Sequence, residues 1–154
     1  MSQIKKKHPE VKILSLDDFT IKPKERQGGN LAHLLNMADR LKDVKYEFTP
    51  KINMHTTAVY PSPYPSPADF QESDYFKGYF IKNSNLPKIL IIHDSFGKFV
   101  HPYFKDSFSR SIFIWDKWQY KLNEPIVEAE QPDIYVSITL ESLLNALADN
   151  CIIR

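Results

Sequence analysis

Three short apolar segments in the second half of the chain constrain the fold more than any other feature. They are KILII (88–92), SIFIW (111–115) and PDIYVSI (132–138), each of strand length and with little polar alternation. Helix-length segments separate them, KFVHPYFKDSF before the second and LNEPIVEAEQ before the third. Such strands are typical of a parallel sheet covered on both faces. The sequence therefore predicts an α/β fold, a three-layer sandwich with a mainly parallel sheet.

The first half of the chain is less regular. The basic stretch IKKKHP is interpreted as the last turn of a helix ended by Pro9, followed by a strand at Val11–Leu16. The segment IKPKERQGG reads as a loop. The other expected elements are a helix in NLAHLLNMADRL with Asn30 as its N-cap, strands in VKYEF and YFKGYFIKN, and a closing helix in ESLLNALAD.

Residues 60–67, YPSPYPSP, carry four prolines in eight positions. Proline fixes φ and lacks a ladder donor, so this segment is expected to be an extended surface loop. A proline-rich docking ligand is the sharper interpretation, and tyrosines packing on the domain are the simpler one.

Composition excludes several classes of function. The 154 residues suffice for a single domain, 1–154, and the net charge of +1 does not recruit nucleic acid by bulk electrostatics. The single cysteine, Cys151, excludes an internal disulfide and is read as a buried structural thiol. No apolar run reaches the roughly 20 residues of a membrane helix, and the N-terminus does not resemble a signal peptide. No metal-ligand spacing and no phosphate-binding glycine loop occur, so neither a metal nor a cofactor is predicted.

The segment HDSFG (93–97) follows the first apolar strand directly. Ligands of parallel α/β sheets bind beyond the carboxyl ends of the strands, and Ser95 is expected at such an end. A helix starting near Phe96 would point unpaired N–H groups at an oxyanion there. Ser95 is thus either a nucleophile or, with Asp94, a helix cap.

The segment PKILIIHDSFGKFVHPYFKDSFSRSIFIW resembles the nucleophile block of the SGNH hydrolase-like superfamily, in the branch that acetylates alginate and related polysaccharides. GGNLAHLLNM and PDIYVSITLESLL resemble two further segments of that branch, in agreeing order over roughly residues 4–147. The resemblance implies a flavodoxin-like SGNH fold. It also implies Ser95 as nucleophile, Asp94 as the motif residue before it, and oxyanion donors among Ser95, Phe96, Gly97 and Asn30.

The chain departs from this pattern at several places. His93 stands where the motif has Gly, and Asn30 stands where the second segment usually has Asp. No histidine follows His101, and no Asp-x-His occurs anywhere, so neither the Asp-x-x-His of ordinary SGNH esterases nor the upstream Asp-x-His-Trp of the acetylating branch is present. The chain is therefore expected to be the C-terminal part of a longer domain, whose acid and base precede Met1.

None of the five histidines is assigned as a base from the sequence. His93 is expected to point away from Asp94, and His101 is expected on the following helix, out of reach of the Ser95 hydroxyl. Trp115 and Trp118 either stack on sugar rings or pack in the core.

Two functions stay open. One is a serine-dependent O-acetyltransferase or acetylesterase whose partners are a polysaccharide, an acyl donor and proteins of an acetylation complex. The other is a non-catalytic binding or assembly module of a polysaccharide-modification complex. The resemblance implies a periplasmic or cell-envelope location if the full-length protein is exported.

Overall fold

A computed structural model describes residues 2–52, 57–59, 62–64, 75–115, 124–141 and 144–145. The chain divides into two compact units, a larger one of residues 1–14 and 54–154 and a smaller one of residues 15–53. Trp118, His55, Cys151, most of the proline-rich segment and most of the expected closing helix lie outside the described residues. No helix in the described part of the chain is long and apolar enough to cross a membrane.

The described helices and strands alternate from β5 to β7 in the larger unit. In chain order the elements of the described residues are α1 (Ser2–Lys7), β1 (Phe19–Gln27), α2 (Asn30–Leu34), β2 (Lys42–Pro50), β3 (Thr57–Val59), β4 (Phe76–Phe80), β5 (Lys88–His93), α3 (His101–Phe104), β6 (Arg110–Trp115), α4 (Glu124–Glu130) and β7 (Ile134–Ile138). Short 3₁₀ turns lie at Leu16–Asp18 and Gly97–Phe99.

The larger unit is built on a five-stranded mixed sheet of order β3-β4-β6-β5-β7. The three apolar segments form the strands β5, β6 and β7, which pair in parallel as the sequence predicts, and β5 lies between the other two. The strands β3 and β4 extend the sheet in antiparallel pairing. The sheet is therefore mixed rather than mainly parallel, because antiparallel neighbours need no crossover helix and can join at its edge.

The alternation of side chains along β5 and β6 divides the core between two faces. Ile89, Ile91 and Phe113 face one side, where they pack with Val11, Ile13, Phe104 and Phe108. Leu90, Ile92, Ile112 and Ile114 face the other side, where they pack with Tyr75, Phe76 and Ile126. Both faces are covered, which explains why these strands show no polar alternation.

Two predictions for the first half are wrong. Residues 11–14 form no strand; Val11, Ile13 and Leu14 are buried in an irregular segment, and the Leu14 N–H donates to the Tyr103 carbonyl.

The expected loop IKPKERQGG lies largely in β1, which pairs antiparallel with β2. This two-stranded ribbon is mostly exposed, and the apolar alternation that predicts β2 from VKYEF does not extend along β1. Cross-strand ion pairs stand in its place, such as Arg26 with Asp43 and Lys24 with Glu47.

The helix expected across NLAHLLNMADRL ends early. Asn36 adopts the left-handed conformation with φ 52°, its N–H donates to the His33 carbonyl, and the Met37 N–H donates to the Ala32 carbonyl. This double hydrogen bond is the Schellman ending of a helix, and Asn is tolerated in its left-handed position. The helix is therefore limited to α2, and the side chains of its last residue, Leu34, and of the following Leu35 are exposed.

Candidate functional site

A cavity of about 410 Å³ lies at the carboxyl ends of β5 and β6. His93 and Trp115 are register partners on these strands, and Lys77 of β4 faces Phe113, so all three side chains lie on the same face of the sheet. The residues lining the cavity are Lys77, His93, Asp94, Ser95, Lys98, His101 and Trp115. The edge of the sheet that the sequence indicated therefore carries a cavity with Ser95 in its wall.

Asp94 ties the segment after β5 to its surroundings. Its N–H donates to the Ile138 carbonyl at 3.0 Å, and its Oδ2 accepts the Leu140 N–H at 2.8 Å. Its Oδ1 accepts the Phe96 N–H at 2.8 Å. Both carboxylate oxygens therefore receive backbone donors, and the side chain holds the turn in place.

Ser95 is exposed at the top of this turn. Neither its N–H nor its hydroxyl makes a hydrogen bond within the described residues. The N–H groups of Phe96 and Gly97, the other backbone groups expected to bind an oxyanion, already donate to Asp94. To bind an oxyanion, the Phe96 and Gly97 N–H groups would have to give up their hydrogen bonds to Asp94, whereas the Ser95 N–H has no such bond to give up.

The helix expected after Ser95 is broken into the 3₁₀ turn Gly97–Phe99 and the four-residue α3. No long helix begins at the nucleophile position, so a helix dipole contributes little there. Asn30, the remaining oxyanion candidate, is the first residue of α2 in the smaller unit, and its role stays a prediction.

The break in the helix brings two histidines together. His101 Nε2 lies 2.9 Å from His93 Nε2, the ring centroids are 4.9 Å apart, and the His101 ring packs on Phe113 at 4.0 Å. The sequence prediction did not include this contact between His93 and His101. It assumed a continuous helix after Ser95, whereas the 3₁₀ turn folds the chain back over β5.

Burial lowers the pKa of both histidines. His93 is only 3% exposed, and desolvation lowers its pKa although the Asp94 carbonyl and charge act in the opposite direction. Burial, then the neighbouring His93 and Lys77, lower the pKa of His101 to about 3. Both rings are therefore neutral at physiological pH.

Gly97 makes room for the His93 side chain. A Cβ at Gly97 would lie 2.6 Å from His93 Nδ1 and still closer to His93 Cβ and Cγ. A histidine in place of the motif's glycine is thus accommodated four residues later by a residue without a side chain. Among the described residues, no group of three or more His, Cys, Asp or Glu side chains is placed to hold a metal ion.

The chain matches no known protein-family profile and no curated protein sequence. Its fold is similar to that of a DHHW family protein from Eubacterium siraeum DSM 15702, with a TM-score of 0.60 and 14% identity over 95% of this chain and 57% of that one. It is also similar to PatB1 of Bacillus cereus. A structure of PatB1 with a sulfonyl adduct gives a TM-score of 0.60 and 12% identity over 94% of this chain and 55% of that one. A second PatB1 structure gives 0.58 and 12% over 93% and 56%.

These similarities show the fold alone, because the identities are low. A DHHW family protein stands among the structural neighbours, in agreement with the broad family that the sequence resembles. The chain spans somewhat more than half the length of each of these proteins.

Proposed function

We propose that this chain is part of a serine-dependent O-acetyltransferase or acetylesterase that acts on a cell-envelope or extracellular polysaccharide, with Ser95 as the nucleophile. The observation that carries this proposal is the position of Ser95. It is exposed, free of hydrogen bonds within the described residues, and set in a cavity at the carboxyl end of the central parallel strand. That is where α/β sheets place their ligands.

In the proposed reaction, the Ser95 hydroxyl attacks the carbonyl carbon of an acyl donor and loses its proton to a base. The Ser95 N–H donates to the oxyanion of the tetrahedral intermediate, and loss of one such donor typically lowers turnover by about 10²–10³-fold. The intermediate expels the donor's leaving group and leaves an acyl-serine. A sugar hydroxyl or water then takes the acyl group and restores Ser95.

The fold belongs to the same proposal. An SGNH-like, flavodoxin-type domain, of which residues 1–154 are the C-terminal part, would receive a base and an acid from a segment before this chain. The length of the neighbours supports this view, since the chain covers 55–57% of those proteins. Because Trp115 lines the cavity, its stacking on a sugar ring is part of the proposal, whereas Trp118 stays a candidate from the sequence.

A covalent label tests the nucleophile directly. The protein is incubated with p-nitrophenyl acetate, both as this chain and as its longest upstream-extended form, and acetyl release and the mass of the Ser95 peptide are followed. We expect release and an acetylated Ser95 peptide with the upstream-extended form, and the loss of both in its Ser95→Ala variant. Ser137→Ala, which alters an exposed serine on β7, is the matched control and should behave as wild type.

A specific observation favours a second candidate, a non-catalytic binding or assembly module. The Phe96 and Gly97 N–H groups are occupied by Asp94, and no base within the described residues lies at hydrogen-bond distance from Ser95. A folded, upstream-extended protein that neither releases acetate nor acquires a label at Ser95 would establish this module in place of the enzyme.

A further inference from the structure

A short hydrogen-bond chain fixes the protons on the two histidine rings. The Asp94 carbonyl lies 2.6 Å from His93 Nδ1 and can only accept, so His93 Nδ1 carries a proton. In the neutral ring, His93 Nε2 is then an acceptor, and the His101 Nε2 that faces it at 2.9 Å must donate. His101 Nδ1 is left as a lone pair without a hydrogen bond in the described part of the chain.

We propose that His101 Nδ1 is a base of this site, one that takes the proton of the Ser95 hydroxyl through a single bridging water. His101 and Ser95 line the same cavity of about 410 Å³, and no direct hydrogen bond joins them. A cavity of this size has room for such a water, whose share of liquid volume is about 30 Å³. The inference rests on the proposed role of Ser95 and replaces only the expectation that the base comes from outside this chain.

The arrangement has the logic of a triad with a different third member. A base must be held in the correct tautomer by a group behind it, which is the task of the aspartate in the Ser-His-Asp arrangement. Here the Asp94 carbonyl orients His93, and His93 Nε2 orients His101, so His93 is a positioning residue. Phe113, whose ring packs against the His101 ring at an interplanar angle of 35°, restricts its rotation.

Every proton that is released in the proposed reaction is taken up again within the cavity. As Ser95 Oγ bonds to the acyl carbon, its proton passes to the water and a water proton passes to His101 Nδ1. When the intermediate breaks its bond to the leaving group, that group takes the proton back through the same water. The second half-reaction repeats these steps with the incoming hydroxyl, and neither an oxidant nor a reductant is needed.

Burial and the charges around the pair keep His101 Nδ1 unprotonated, and the same effects make it a weaker base than an ordinary histidine. Lys77 on β4, Lys98 within the 3₁₀ turn and Asp94 line the same cavity. Burial and Lys77 lower the pKa of His101 to about 3, so Nδ1 is unprotonated across the physiological range. An ordinary histidine base would instead be half protonated near pH 6.5, on the basis of its usual pKa of about 6.5.

Phenylmethylsulfonyl fluoride is the probe, because serine attack forms an O–S bond, releases fluoride and gives up the hydroxyl proton. The labelling rate of Ser95 is measured by mass spectrometry in this chain, in His101→Gln and in His33→Gln, which alters an exposed histidine of the smaller unit. We expect His101→Gln to be slower by about 10²-fold, the lower end for a general base, and His33→Gln to match wild type. Circular dichroism checks that both variants fold.

The wild-type pH profile gives an independent reading that needs no variant. The labelling rate should stay constant between about pH 8 and about pH 5, because the base is not protonated there. A rate that halves near the usual histidine pKa of about 6.5, or that rises tenfold per pH unit, would assign the proton to another base or to hydroxide.

Equal rates in wild type and His101→Gln overturn the role of His101 and leave Ser95 as nucleophile. No label at Ser95 in wild type or the upstream-extended form overturns the nucleophile, and the base with it.

Discussion

Gly97→Ala tests the packing that shapes the Ser95 turn. Gly97 has a negative φ within a 3₁₀ turn, so alanine there meets no backbone strain and would gain up to about 1 kcal/mol from reduced chain entropy. The new Cβ, however, would lie 2.6 Å from His93 Nδ1. The His93 ring is buried and held at both nitrogens, so it cannot move aside as a flexible chain end would.

The turn that contains Gly97 must instead move away from the His93 ring. Overpacking of this kind costs about 1–3 kcal/mol. The bond from the Gly97 N–H to the Asp94 carbonyl is weakened as well, at about 1 kcal/mol. After the entropy gain, we expect a net loss of about 1–3 kcal/mol in the free energy of unfolding.

Urea denaturation measures the effect, and Gly29→Ala is the matched control. A Cβ at Gly29 would meet the Asp43 carboxylate at 2.8 Å and the Arg26 guanidinium at 3.1 Å, both ends of exposed side chains that can shift. We expect Gly29→Ala to stay within about 0.5 kcal/mol of wild type, as most surface substitutions do. If Gly97→Ala were as stable as Gly29→Ala, the close packing of the turn on His93 would be refuted.

Two further predictions concern buried charge. Arg110→Met should lower the free energy of unfolding in urea by about 3 kcal/mol, because the Glu130 side chain, which is 7% exposed, would keep the Tyr64 hydroxyl as its one hydrogen-bond partner among the described residues. The 34% exposure of Arg110 places the cost at the low end for buried pairs. Adding Glu130→Gln should restore part of the lost stability, and no recovery would contradict the pairing. The lowered pKa values of His93 and His101 mean that the unfolded chain binds protons first as the pH falls. Stability should therefore decline below about pH 6.5 with a slope of up to about 1.4 kcal/mol per pH unit for each histidine. Urea midpoints of wild type and His101→Gln measure this, and equal slopes would contradict it.

The sequence predicts the parts of the fold that depend on local pattern. The strands β5 and β6 are continuous apolar runs, and burial on both faces leaves that pattern in the sequence, whereas β7 alternates between half-buried and exposed side chains. The position of Ser95 follows directly from the end of β5. These features need no knowledge of distant residues.

What the sequence does not predict depends on pairs far apart in the chain. The strand β1 is stabilised by partners such as Arg26 with Asp43, 17 positions apart, so its own residues resemble a charged loop. The contact of His93 with His101 depends on where the helix after Ser95 breaks. The absence of a side chain at Gly97 is the one local sign of that arrangement, and its meaning emerges only once His93 is seen beside it.

The bonds of Asp94 also set the order in which the site can be completed. Its N–H and Oδ2 bind Ile138 and Leu140, and Leu140 follows it by 46 positions. Parallel pairing between distant segments forms slowly, because the chain loses the entropy of loop closure before the stabilising contacts between the segments can form. On the ribosome, Ser95 therefore emerges well before its turn can be anchored. The bonds from Asp94 to Ile138 and Leu140 form only when β7 has docked, so an arrested or cleaved nascent chain carries Ser95 on a turn without this anchor.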